Sequence, residues 1–222
     1  MLDLVMLAAE GAGEEVRVNY FEIIVTGGGF IGYIIWLLSV VVMGLAITFF
    51  ITIRRATVLP DMIRMQIEEL FDSKEYREAI DLTETQDDFF SRVMHASLTE
   101  APYGYPSMER AMEDEAEDRS LKMLRNVEWL NLIGNIGPML GLLGTVWGMI
   151  GAFFKIVEMG GSPDAQDFAG EIGVALVTTF LGLSVAIPAL TIFAYLKNRI
   201  DSLTGEALRA CQRMISSFKP SK

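Results

Sequence analysis

Hydrophobic and polar positions along this chain fall into blocks. Residues 23–53, 129–154 and 172–196 contain no Asp, Glu, Lys, Arg or His, giving windows of 31, 26 and 25 residues. A helix rises about 1.5 Å per residue and the hydrocarbon core of a bilayer is about 30 Å thick, so about 20 mostly apolar residues suffice to cross it. Each window exceeds that length, and the pattern predicts transmembrane helices at 29–53, 129–154 and 172–196. A membrane barrel would instead alternate polar and apolar positions over strands of about 10 residues.

Between the first two windows the pattern reads as polar helix. Asp72 and Glu75 stand three apart ahead of an Ala/Leu/Ile-containing stretch, the spacing of a capping box. Pro102, Gly104 and Pro106 predict a turn. From Ser107 no Gly or Pro intervenes until Gly134, so one helix is expected to run straight into the second span. At 1.5 Å per residue, 107–154 would form a rod about 70 Å long. The fold class predicted is an all-α integral membrane protein whose long helices extend into a helical domain.

Charge adds an orientation. The 47 charged side chains amount to 21% of the 222 residues, yet all of them lie outside the three windows, leaving the remainder about one-third charged against about 25% in soluble proteins. Near the membrane ends, Arg54, Arg55, Arg64, Arg110, Arg119, Lys122, Arg125, Lys197, Arg199, Arg209 and Arg213 lie on one side, and only Arg17 and Lys155 on the other. Basic residues favour the cytoplasmic side, so the N-terminus is expected outside and the C-terminus inside. The resulting divisions are an outer segment 1–28, a cytoplasmic helical domain 54–128, an outer loop 155–171 and a basic cytoplasmic tail 197–222. The tail, at net +4, reads as a topology anchor near anionic lipid. The acidic segment 1–22 has an apolar start that suits a membrane surface. Leu4–Ala9 is short and follows Asp3, so no cleavable signal is expected.

Composition then excludes several functions. A net charge of −11 argues against a nucleic-acid partner, which needs a basic surface. Cys211 is the sole cysteine and His95 the sole histidine, so neither an intrachain disulfide nor a clustered metal site is expected. Gly27 to Gly32 fit a G-x-G-x-x-G string, but it opens a membrane span and not a strand-to-helix turn. The chain is therefore read as a non-enzyme without a cofactor. Tyr33, Trp36 and Trp129 are expected at the membrane interface, and the deeper Trp147 between helices.

The second and third spans carry the candidate chemistry. Glycines at 134, 137, 141, 144, 148 and 151 fall within a band of about 100° on a helical wheel, leaving one face almost without side chains. Gly137, Gly141, Gly144 and Gly148 thus form a packing surface, because small residues let helices approach closely in lipid. Ala175, Thr179, Gly182, Ala186 and Ala189 repeat the pattern on the third span. Thr145 sits at the edge of the first band; Thr179 lies within the second, flanked by Thr178. Pro138 and Pro188 are expected to break the two helices, each removing a backbone bond that something must replace. One reading makes these faces simple helix contacts, with the threonines bonded to their own helix. The other is a pore or cavity lined by Thr145, Thr178 and Thr179. Glu171 is the candidate cation-attracting acid at the outer mouth, or else the solvated end of a loop.

Two stretches, NIGPMLGLLGTVWGMI at 135–150 and ALVTTFLGLSVAIPA at 175–189, strongly resemble the signature spans of the MotA/TolQ/ExbB proton-channel family, most closely its ExbB/TolQ branch. The likeness extends in order over most of the chain, including the Met108-Glu-Arg-Ala-Met run. It implies a homopentamer in the bacterial inner membrane, whose second and third spans surround a single-span ExbD/TolR-like subunit bearing a membrane aspartate. The same resemblance implies that the outer side is the periplasm, so that 1–28 and 155–171 are periplasmic. It further implies that ion flow, of H+ or Na+, drives force transfer, and that Thr145 and Thr179 face the interior near that aspartate. Where ExbB and TolQ proteins commonly have a glutamate just before the Ala-Leu of the third span, this chain has Val174. A MotA-like motility stator and a non-conducting membrane scaffold are the alternatives.

The residues point to a partner independently. A proton path through a bilayer uses ionisable groups or ordered water, and the three windows contain no carboxylate, His, Lys or Arg. Threonine holds water but does not titrate near neutral pH, so a titrating group must come from another chain.

Overall fold

The computed structural model describes residues 27–160 and 165–219, with side chains from 170 onward in the second stretch. The expectations for 1–22 and for the middle of the 155–171 loop lie outside the described residues. The elements are α1 (Gly29–Thr52), α2 (Arg55–Val58), α3 (Asp61–Asp72), α4 (Tyr76–Thr85), α5 (Phe89–Thr99), a 3₁₀ turn (Ala101–Tyr103), α6 (Tyr105–Glu158), α7 (Ala165–Ile215) and a closing 3₁₀ turn (Ser216–Phe218). No strand occurs among the described residues, and α1, α6 and α7 are each long and apolar enough to cross a membrane.

The 54 residues of α6 have a contour length of about 80 Å at 1.5 Å per residue. It begins two residues before the expected Ser107, with Pro106 in the first turn, where its missing N–H has no helical partner to lose. The breaks expected at Pro138 and Pro188 do not end either helix: both prolines lie inside continuous α6 and α7. Each deletes one N–H, so only the carbonyls of Gly134 and Ser184 lose their donors while adjacent bonds carry the helix onward.

The predicted capping box also differs. Asp72 is the last residue of α3, and Glu75 is the N-cap of α4 with no side-chain cap bond. Between them Lys74 turns the chain at φ +63°, so Asp72 belongs to the preceding helix and cannot cap the next one. The side-chain cap in this region is Asp88 on α5, whose Oδ1 accepts the Ser91 N–H at 2.9 Å and whose Oδ2 accepts the Ser91 hydroxyl at 2.7 Å.

The chain divides into two compact units, one comprising residues up to Leu37 with Gly137–Ser184, the other Leu38–Ile136 with Val185–Lys222. In the second unit, α5 supplies Phe90, Val93, Met94 and Leu98 to the core, α6 supplies Met108, Met112 and Leu130, and α7 supplies Ile200, Leu203, Ala207 and Ile215. Residues 197–215, read from their charge as a basic tail, are thus a helical extension of α7 whose apolar stripe is buried, as helical spacing allows. Phe218 packs between Phe71 and Tyr76, with ring centroids 5.9 and 5.0 Å away. The Arg55 guanidinium donates to Asp61 Oδ2 at 2.7 Å and Glu206 Oε1 at 3.0 Å, tying the start of α2 to α3 and α7. These two carboxylates hold the arginine's pKa above its ordinary value. His95 Nδ1 lies 3.2 Å from the Thr83 hydroxyl, a packing contact.

Candidate functional site

In the first unit, α6 and α7 meet along the small-residue faces. A side chain has no room at several of these glycines. A Cβ on Gly141 would lie 3.0 Å from the Thr179 Cα, one on Gly148 2.9 Å from the Glu171 carbonyl, and one on Gly182 2.5 Å from the Gly137 carbonyl. A Cβ on Gly144 would overlap Oγ1, Cβ and Cγ2 of Thr178. The glycines therefore act as a seam in which backbone and side chains of one helix fill the absent side chains of the other. In the second unit the same device continues, with Gly134 against Leu190, 2.7 Å from an added Cβ, and with Ala186 and Ala189 buried.

The three threonines divide between two environments. Thr178 is 1% exposed, and its hydroxyl donates to the Ala175 carbonyl at 2.8 Å. It is buried in the seam and borders the cavity that lies on the α1 side of it. Thr179 is half-buried, its hydroxyl 3.3 Å from the Gly141 carbonyl. Thr145 is half-buried, donating to the Leu142 carbonyl at 2.7 Å.

Helix α1 marks one flank of the seam. Gly28 and Gly32 approach Leu181, and Gly29 approaches Val174. A cavity of about 610 Å³ on this flank is walled by Phe30 and Ile34 of α1, by Leu143 and Trp147 of α6, and by Val174 of α7. At 100° per residue, Thr145 lies about 160° around α6 from Trp147, and Thr179 about 140° around α7 from Val174. In an antiparallel pair, rotation of both helices in the same sense leads to the same side, so both threonines stand on the flank away from α1. Trp147, expected between helices, is instead 69% exposed at the edge of the cavity.

Glu171 is ion-paired. Its Oε1 lies 2.8 Å from Lys155 Nζ, with the side chains 26% and 43% exposed. The carboxylate reaches across α6 over Gly151, where an added Cβ would come within 2.9 Å of Oε2. Lys155 was missed as a candidate, although the two opposite charges bound the second and third windows at the same end of the hairpin. Among the described residues no cluster of His, Cys, Asp or Glu is placed to hold a metal.

A family model described as the MotA/TolQ/ExbB proton channel family matches residues 81–207. The biopolymer transport protein ExbB of Xanthomonas campestris pv. campestris is 40% identical over 88 residues, covering 40% of this chain and 34% of the relative. The protein of the same name in Neisseria gonorrhoeae is 44% identical over 72 residues, 32% of each chain. The chain spans about a third of the length of these curated relatives.

Proposed function

This chain belongs to the MotA/TolQ/ExbB proton channel family, and from that premise we propose that it is the ring-forming subunit of a motor driven by the proton-motive force. With three helices able to cross a bilayer, it is a multi-pass membrane protein. In the proposed arrangement it lies in a bacterial inner membrane with the N-terminus periplasmic and the C-terminus cytoplasmic, as the basic residues at the span ends favour. The second unit then stands largely in the cytoplasm. Five copies surround a single-span ExbD/TolR-like subunit, and ion flow between them is converted into force on envelope components or transport.

The observation that carries the reading is the position of Thr145 and Thr179 on the flank of the seam away from α1. There α1 leaves both residues uncovered within one chain, so copies closing into a ring can turn their hydroxyls towards a common centre. Neither hydroxyl titrates near neutral pH, and Val174 stands where a glutamate is common, so the partner's aspartate supplies the group that gains and loses a proton. Lys155 holds Glu171 across the seam, which suits a clamp on the outer ends of α6 and α7.

The test is co-expression with the one-span subunit and measurement of proton flux into liposomes. Thr179→Val is expected to abolish most of the flux while the complex purifies at unchanged size. Normal flux in that variant, or a ring that purifies with no one-span protein, would sink the reading.

A further inference from the structure

At the start of the second uncharged window, α6 carries a polar ladder on an otherwise apolar surface. Glu128, Asn131 and Asn135 stand three and four residues apart, hence on one face of the helix. They are bonded in series: the Asn135 amide donates to the Asn131 carbonyl at 2.7 Å and to its Oδ1 at 3.0 Å, and the Asn131 amide donates to Glu128 Oε1 at 2.6 Å. Glu128 and Asn135 are exposed and Asn131 half-exposed, with Leu132, Ile136 and Met139 as apolar neighbours, 46%, 36% and 68% exposed.

Two carboxamides cannot face hydrocarbon cheaply. An amide moved from water into an apolar medium without full compensation costs about 2–7 kcal/mol, and polar side chains inside spans face protein or a water-filled cavity. Among the described residues the hydrogen-bond partners of these three are one another and the α6 backbone, which leaves Asn135 Oδ1 as an open acceptor. An open acceptor at the Asn135 end and a carboxylate at the Glu128 end are what a hydrated cation needs on its way out of a membrane.

We propose that Glu128, Asn131 and Asn135 line an aqueous leg of the ion path, with Glu128 as the carboxylate that receives the proton before release. The inference rests on the conduction reading above. Seven residues, about 10 Å of helix, separate the two side chains, so a hydronium ion at Asn135 passes its proton along the water of this leg to the Glu128 carboxylate, each donor becoming water. The Glu128 acid then protonates a water on the open side, regenerating the carboxylate and forming hydronium there.

Two measurements test it. Asn135→Cys and Ile136→Cys are each placed in a Cys211→Ser background and treated, in membranes, with a charged, impermeant thiosulfonate. Position 136 lies at nearly the same depth but about 100° around the helix. A thiol in water ionises and reacts where one in lipid does not, so the thiol at 135 is expected to react about tenfold faster; equal or slower reaction overturns the aqueous leg. In liposomes holding the complex with its one-span subunit, Glu128→Gln is expected to cut proton flux about a hundredfold, the scale of a lost proton-transfer group, and Glu128→Asp to retain most of it. Normal flux in Glu128→Gln beside blocked flux in Thr179→Val overturns this inference alone. No flux in the unmodified complex overturns the conduction reading and this inference with it.

Discussion

Thr178 occupies the space that Gly144 leaves open: a Cβ on residue 144 would overlap Oγ1, Cβ and Cγ2 of the threonine. Nothing of comparable size stands over Gly44 in α1, where an added Cβ meets no atom within 4 Å. Gly144→Ala is therefore expected to lower the unfolding free energy by about 1–3 kcal/mol, the usual cost of overpacking. Gly44→Ala should leave it unchanged or raise it by up to about 1 kcal/mol through helix propensity. Thermal unfolding of both variants in detergent checks the contrast, and equal melting temperatures would contradict a tight seam.

The Lys155–Glu171 pair, at 2.8 Å and partly exposed, is expected to couple the two helices by about 0.5–1 kcal/mol. Lys155→Glu and Glu171→Lys should each destabilise the protein, and the doubly reversed variant should recover part of the loss. A double-mutant cycle isolates the pairwise contribution; zero coupling would remove the clamp role.

Arg55 reaches two carboxylates with one planar group, Asp61 at 2.7 Å and Glu206 at 3.0 Å. Lysine cannot reproduce that fork. Arg55→Lys should therefore unfold at nearly the same temperature as Arg55→Ala, both below the unmodified chain, with the difference shrinking as salt is raised. Full rescue by lysine would mean that charge alone matters there.

Cys211 is buried beside the Phe90 carbonyl, its Sγ 3.9 Å from that oxygen. Burial pushes the thiol well above its ordinary pKa of 9.0. The raised folded value means that this contribution to stability is fully present below pH 9.0 and is lost as the pH rises above it, because only the unfolded chain then releases the proton. Cys211→Ala should flatten the decline in melting temperature on the alkaline side. Reaction of the native thiol with a soluble thiol reagent at neutral pH, before unfolding, would contradict the burial.

Helical periodicity made part of the site legible from residues alone. The glycine band of α6 and the alanine-rich band of α7 are the faces that meet, because spacings of three and four put small residues on one side of any helix. The same spacing buries Ile200, Leu203 and Ala207, but the Lys and Arg residues among them drew the reading towards a tail. The Asp72 and Glu75 spacing misled for a related reason: a capping pattern does not say whether the preceding helix has already ended.

The sequence by itself determined that three helices are long and apolar enough to cross a membrane, that two of them present small faces, and that none carries a carboxylate, His, Lys or Arg in its charge-free window. Those properties are one-dimensional, written in the order of apolar, small and charged residues. Only the tertiary structure decided that Thr178 is buried in the seam on the α1 side while Thr145 and Thr179 stand on the opposite flank, and that Glu171 answers to Lys155. Such outcomes depend on the rotation and axial register of two antiparallel helices. Both are set by how closely their backbones approach at Gly141, Gly144 and Gly182, and no local pattern encodes that distance.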